Sequence, residues 1–288
     1  RQEDPVPGAP TDERETALRA HLAWWGLRHI ESDAAYFAWQ RDVFTPQELE
    51  TLHRSIEAKR VAANGPAADI AFYDLTAKPQ SVPALYSQRY EYYFEVGSRI
   101  AGRLENAGTI LDVGCGIGLL TTYYARQCPG ATVVGLDRSP ASIALARQRA
   151  QELELTNLRF ECLDIDQQNP AGRFDVIIAT HTLLQAEQDP GLPSSDWRSF
   201  TRACDTSAQQ LFEQRTGVGP RLDRLCDALT PNGRLILFEK TRQLARRVPV
   251  QRALAARGLA LLFPPEPIRY RSIEEVTDDG PLYVAGVG

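Results

Sequence analysis

Residues 109–120 read TILDVGCGIGLL. A short apolar run, Ile110 and Leu111, leads into Asp112, and glycines follow at alternate positions, Gly114, Gly116 and Gly118. The chain then turns helical in pattern (LLTTYYARQ). A strand stopping on an acid, a glycine bend and a helix compose the first βα unit of a nucleotide-binding α/β fold. Glycine is needed there for one of two reasons: a Cβ would collide with a ligand lying on the backbone, or φ must be positive. A helix starting near Ile117 would aim free N–H groups and the positive end of its dipole at that ligand.

The neighbouring sequence strengthens this reading. Residues 131–137 (ATVVGLD) form a second valine-rich run that again ends on an acid, Asp137, 19 residues beyond Gly118. An acid at that distance can accept hydrogen bonds from both hydroxyls of a ribose, so the ligand is expected to contain a nucleoside. A dinucleotide fingerprint counted from Gly114 would require glycine at 119, where the chain has Leu119.

Asp112-x-Gly114-x-Gly116-x-Gly118 resembles motif I of the class I S-adenosylmethionine-dependent methyltransferases. Further stretches carry the resemblance on. Residues 158–164 (LRFECLD) read as a third strand, with Asp164 and Ile165 at its end. Residues 174–180 (FDVIIAT) form a near-continuous apolar strand, as a strand covered on both faces should, and resemble the family's motif IV. Leu229, Pro231, Gly233 and Leu235 match the L-x-P-x-G-x-L signature ahead of a fifth strand, 234–239. The tail reads as two strands joined by a turn at Asp278-Asp279-Gly280. The resemblance covers roughly residues 71–288. It implies an α/β, doubly wound, seven-stranded and mostly parallel sheet, the last strand antiparallel, with helices on both faces and an N-terminal helical extension. It divides the chain into 1–70, a tail and helical extension, and 71–288, a Rossmann-like domain with a substrate-side insertion at 185–219.

Local signals place several other elements. Residues 1–10 are proline-rich and polar, and read as disordered. Residues 11–61 have a helical pattern, with a capping box at Thr45–Glu48 and Pro46 at the first helical position. Trp24, Trp25, Tyr36, Phe37 and Trp39 there read mainly as helix packing. Ser139-Pro140 reads as an N-cap and N1 pair. Helices are also expected at 195–214, 221–229 and 242–261, with a turn at 230–233. The segment 72–94 is rich in aromatics; in the family such a segment often covers the cofactor, which marks Tyr73, Tyr86, Gln88, Arg89, Tyr90 and Tyr93 as contacts or as lid packing.

The resemblance implies transfer of a methyl group from S-adenosylmethionine, with S-adenosylhomocysteine leaving. Gly114, Cys115, Gly116 and Gly118 would serve the amino-acid end of the cofactor, with Asp112 orienting that loop or the ammonium group. Asp137, beside Arg138, would take the ribose, and Asp164 with Ile165 the adenine. Arg89 would pair with the methionyl carboxylate. Thr180 and His181 would face the transfer site, because ligands of parallel sheets bind outside the carboxyl ends of the strands. His181 is the catalytic candidate, since histidine titrates near neutrality; that it only shapes the pocket is the alternative. Glu239 is a weaker second.

Bulk properties narrow the partners. The 288 residues carry a net charge of −5, which offers no global attraction to nucleic acid or to an anionic membrane. Arg242, Arg246, Arg247, Arg252 and Arg257 read as a solvated helix face. No apolar run reaches membrane-spanning length. Five cysteines without C-x-x-C spacing argue against structural zinc and disulfides, and a cytoplasmic setting fits. The lack of methionine implies a processed or trimmed amino terminus. The Asn/Asp-Pro-Pro-Tyr/Phe signature of amino-group methylases is absent, and so is the Pro-Cys pair of cytosine C5 attack. A small-molecule acceptor leads, ahead of a protein; no metal is expected and a homodimer is left open. The competing readings are a non-catalytic S-adenosylmethionine-binding protein and an NAD-dependent oxidoreductase.

Overall fold

The computed structural model describes residues 12–61, 65–184 and 206–287. Helices Asp12–Trp24 (α1), Asp33–Val43 (α2), Pro46–Arg60 (α3), Gly65–Thr76 (α4), Val82–Tyr86 (α5) and Tyr90–Ala101 (α6) precede the first strand. Strands and helices then alternate: β1 (Thr109–Val113), α7 (Leu119–Gln127), β2 (Thr132–Asp137), α8 (Pro140–Glu152), β3 (Leu158–Cys162) and β4 (Phe174–Thr180). After α9 (Thr206–Thr216) and α10 (Val218–Ala228) come β5 (Leu229–Phe238), α11 (Leu244–Ala256), β6 (Leu259–Leu261), β7 (Glu266–Ser272) and β8 (Glu275–Val287).

The strand order is β3-β2-β1-β4-β5-β8-β6, with β7 pairing β8 off that path. The pairs β2/β3, β1/β4 and β4/β5 are parallel, and β8 runs antiparallel to β5 and β6. This is the doubly wound, mostly parallel sheet with a late antiparallel strand that the sequence implies. Residues 176–179 of β4 are all buried, as strands covered on both faces must be.

Two compact units divide the chain. The first gathers residues up to 106 with 115–162 and 269–277; the second gathers 107–114, 163–268 and 278–288. In the first unit, α1 is tied to α7 through His21, which is fully buried with Nε2 2.8 Å from the Leu119 carbonyl and Nδ1 3.3 Å from Arg126. Burial pushes its imidazole down to about 4, with the Arg126 charge adding to the effect and the Leu119 contact opposing it. Thr45 and Glu48 form the expected capping box. Ser139 caps α8 through the N–H of Ser142, with Pro140 at N1. Ile143, Ala146, Ala150 and Phe160 make a core against which Cys115 and Leu158 pack.

Three local expectations are corrected. Residues 242–261 are not one helix: α11 ends at Ala256, Gly258 adopts φ +72°, and β6 follows. Residues 230–233 do not turn the chain. While β4 advances from Phe174 to Val176, β5 advances from Leu229 to Arg234, so this stretch is a bulge within one long strand. The terminal turn lies at Ile273–Glu274, not at Asp278–Gly280. There the backbone is bonded: the Asp279 carbonyl accepts the N–H groups of Thr241 and Arg242, and Gly280 at φ +123° lets the strand bend against Thr241. Much of the expected helix 195–214 and of the insertion lies outside the described residues.

Two glycines of the loop show why no other residue serves. Gly118 has φ +77°, and a Cβ there would sit 2.6 Å from the Phe160 ring. Gly114 has φ +71°, and a Cβ would sit 2.2 Å from Thr182 Oγ1. The substitution Gly118→Ala is therefore expected to lower stability by about 1–3 kcal/mol from backbone strain alone, read as a lower urea midpoint at unchanged slope.

Candidate functional site

Within the first unit, the loop and the acid of β2 are joined directly. Asp137 accepts the Gly116 N–H at 2.9 Å through one oxygen and the Ser139 N–H at 2.8 Å through the other. Burial raises its pKa above the ordinary value, against the pull of those two donors. Each carboxylate oxygen keeps a further lone pair for an incoming hydroxyl. The Cys115 N–H bonds to the Leu136 carbonyl, and its side chain turns toward Phe160 and Gly135. At Gly116, φ is +55° and a Cβ would meet nothing within 4 Å, so here the loop backbone faces open space. A ligand lying along this backbone fits that opening. Of the two reasons offered for glycine, positive φ holds at all three positions, and the collisions at Gly114 and Gly118 are with the protein itself.

Two acids of α4 were not singled out in the sequence. Asp74 accepts the Ser139 hydroxyl at 2.6 Å and the Ala141 N–H at 3.2 Å. Asp69 pairs with Arg138 and with Lys59, whose ammonium also reaches the Tyr73 hydroxyl at 2.9 Å. Helix α4 is thus fastened to the segment just after Asp137. No sequence signal could reveal this, since the partners lie some 65 residues apart. Arg89 lies with its guanidinium 4.0 Å from the Tyr92 ring centre and 5.9 Å from that of Tyr93. Tyr93 stacks on Tyr86 at 6.3 Å, and burial pushes both phenols above their ordinary range.

The second unit holds Asp112, buried near the end of β1, and the segments after β3 and β4. Asp164 lies two residues beyond the end of β3; its carboxylate accepts the Asp166 N–H at 2.9 Å, closing a local turn in front of buried Ile165. At the end of β4, the Thr180 carbonyl accepts the Thr182 hydroxyl at 2.9 Å, and that hydroxyl also contacts the Val113 carbonyl at 3.1 Å. His181 then takes φ +51°, a conformation uncommon for any residue other than glycine but one that histidine visits more than most. Its N–H bonds to the Phe238 carbonyl at 2.8 Å, its ring lies against Phe238, and its Nε2 lies 3.1 Å from Asp279 Oδ2.

The turn after His181 is held from beneath. Glu239, 1% exposed, accepts the N–H groups of Thr182 and Leu183 at 2.8 Å and of Leu184 at 3.3 Å. Arg221 donates to the carbonyls of Thr182 and Leu183 at 3.2 and 2.9 Å while gripping Asp166 with two bonds of 2.6 and 2.7 Å. Burial pushes the Glu239 carboxyl up to about 7, against the three backbone donors and the Arg221 charge. Glu239, considered above as a weak catalytic candidate, is occupied in fixing this turn. Among the described residues no group of three or more His, Cys, Asp or Glu could hold a metal ion, and no helix is long and apolar enough to cross a membrane.

A family model described as "Methyltransferase domain" matches residues 104–252, over half of the chain. The chain belongs to this family of methyltransferases. Among curated relatives it is similar to malonyl-[acyl-carrier protein] O-methyltransferase of Acetivibrio thermocellus, 32% identical over 33% of this chain and 36% of that protein. It is 38% identical to trans-aconitate 2-methyltransferase of Mycobacterium tuberculosis over 28% of this chain and 30% of that protein. The chain spans about a third of the length of the curated relatives it matches. Among solved structures it is similar to the N-methyltransferase NodS from Bradyrhizobium japonicum WM9 in complex with S-adenosyl-L-homocysteine, at TM-score 0.49 and 16% identity, covering 76% of this chain and 96% of that one.

The raised carboxyl of Glu239 has a stability consequence. Between its ordinary pKa of 4.5 and about 7 the folded chain holds a proton that the unfolded chain has lost. The contribution of this group is therefore full below about pH 4.5 and declines as pH rises toward 7. Relative to the neutral isostere Glu239→Gln, wild-type stability is expected to fall across this window by up to about 3 kcal/mol, measured by urea unfolding at half-unit pH steps.

Proposed function

We propose that this chain transfers a methyl group from S-adenosylmethionine to a small-molecule acceptor. The observation that carries the reading is the bond between Gly116 and Asp137: the glycine loop that would receive the amino-acid end of the cofactor is fixed directly to the acid that would receive its ribose. The open space at Gly116 suits a group lying on the loop. When bound, the sulfonium supplies a methyl group already activated for displacement, so the protein's task is chiefly to place the acceptor in line.

The residues divide the work as follows. Gly114, Cys115, Gly116 and Gly118 present loop backbone to the methionyl end, and buried Asp112 anchors that bend. Asp137 receives the ribose diol, and Arg138 continues that wall. Asp164 and Ile165 border the adenine, Arg89 takes the methionyl carboxylate, and Thr180 borders the transfer site. His181 receives a proton from the acceptor. The small-molecule reading draws support from the similarity to trans-aconitate 2-methyltransferase.

Two measurements test this. Calorimetry is expected to show S-adenosylmethionine binding that Asp137→Ala weakens at least about tenfold, since two hydrogen bonds to a charged group are lost; binding of NAD with none of S-adenosylmethionine would overturn the reading. With a panel of phenols, alcohols, amines and carboxylic acids, His181→Ala is expected to slow release of S-adenosylhomocysteine about 100-fold or more while cofactor affinity stays within threefold. Unchanged turnover would remove His181 from the chemistry.

A further inference from the structure

We propose that Asp74 of α4 is a positioning residue for the cofactor: acting through Ser139, it holds the Asp137 carboxylate in the orientation that receives a ribose. This rests on the reading above that Asp137 takes the ribose diol.

A carboxylate that is to accept two hydroxyls needs both oxygens aimed, and the chain just after Asp137 sets that aim. Oδ2 accepts the Gly116 N–H and Oδ1 the Ser139 N–H. The Asp137 side chain therefore turns with any movement of Ser139. That residue is fully buried at the N-cap of α8, where the cap and the first three helical residues have no helical partner for their N–H groups. The Ser139 N–H goes to Asp137, and Pro140 has none to place. The Ala141 N–H goes to Asp74 Oδ1 at 3.2 Å, and the Ser142 N–H to the Ser139 hydroxyl at 3.1 Å. Asp137 and Asp74 thus divide the start of α8 between them.

The Ser139 hydroxyl works in two directions. Its oxygen accepts from Ser142 while its hydrogen goes to Asp74 Oδ1 at 2.6 Å. A bond to an ionised carboxylate is about twice as strong as a neutral one, and this charge stands at the positive end of the helix. One oxygen of Asp74 thereby fixes the hydroxyl, the cap and a backbone donor together. Helix α4 also holds the residue in between: Asp69 pairs with Arg138 through one oxygen and with Lys59 through the other. Both residues that follow Asp137 take side-chain partners from α4. Without Asp74 the Ser139 hydroxyl is free to rotate, the Ala141 N–H turns to water, and Ser139 no longer pins Oδ1. A ribose then meets a carboxylate that must be ordered on binding, and affinity falls by the cost of that ordering.

Calorimetry of the full chain with S-adenosylhomocysteine tests this. Asp74→Ala is expected to weaken binding about tenfold. Asp74→Asn, which keeps an acceptor oxygen without the charge, is expected to weaken it about threefold. Because Asp74 acts through Asp137, adding either substitution to Asp137→Ala should cost no more than about a further twofold. A general loosening of the fold would cost the same in both backgrounds. The asparagine variant carries the cycle where the alanine variant does not fold. Without ligand, amide exchange at Ser139, Ala141 and Ser142 is expected to quicken in both variants. Wild-type affinity in both Asp74 variants, or equal losses in the two backgrounds, would overturn the positioning role and leave Asp137 as the ribose acid. Wild-type affinity in Asp137→Ala would overturn the ribose reading and this inference with it.

Discussion

The carboxylate of Glu239 is shut away from water and receives three consecutive backbone N–H groups. A strand that ends inside a protein leaves donors that must find partners, because each unpaired buried group costs free energy comparable to a lost hydrogen bond. At the end of β4 a single side chain satisfies three of them, and Arg221 does the same for two carbonyls. The turn carrying His181 is thereby determined by charged groups drawn from just past β5 and from α10, not by its own residues. Thr180, Thr182 and Leu183 have no special turn propensity.

The loop after β1 works on the opposite plan. Its shape is written locally, in glycines that accept positive φ and leave room for Thr182 and Phe160. This is why it was legible in the sequence. The same holds for Ser139-Pro140 and for Thr45-Pro46, where a side-chain acceptor and a proline act within three residues. Asp137 was legible as the acid that ends β2, and the bond from Gly116 to it joins that strand end to the glycine loop.

What stayed hidden depends on distant partners. Asp278-Asp279-Gly280 has turn composition, yet the backbone of Thr241 and Arg242 claims the Asp279 carbonyl and keeps the segment extended. Residues 230–233 have turn composition too, and tertiary pairing with β4 absorbs them as a bulge. Asp69 and Asp74 look like ordinary acids on a helix, and only the folded chain brings them to Arg138 and Ser139. Local propensity describes what a segment prefers alone, and long-range bonds overrule it where they are strong and buried.

Strand β8 is antiparallel to β5, with Phe238 opposite Leu282 and Leu237 opposite Tyr283. Along such a strand neighbouring side chains point to opposite faces, so sliding it by one position would exchange every residue's side. Asp278 or Gly280 would then stand where Asp279 stands, and the imidazole would face either a displaced acid or bare backbone. The alignment of the closing strand therefore sets the electrostatic surroundings of a histidine nearly a hundred residues earlier in the chain, so that a shift in pairing alone, with every side chain retained, would suffice to change them.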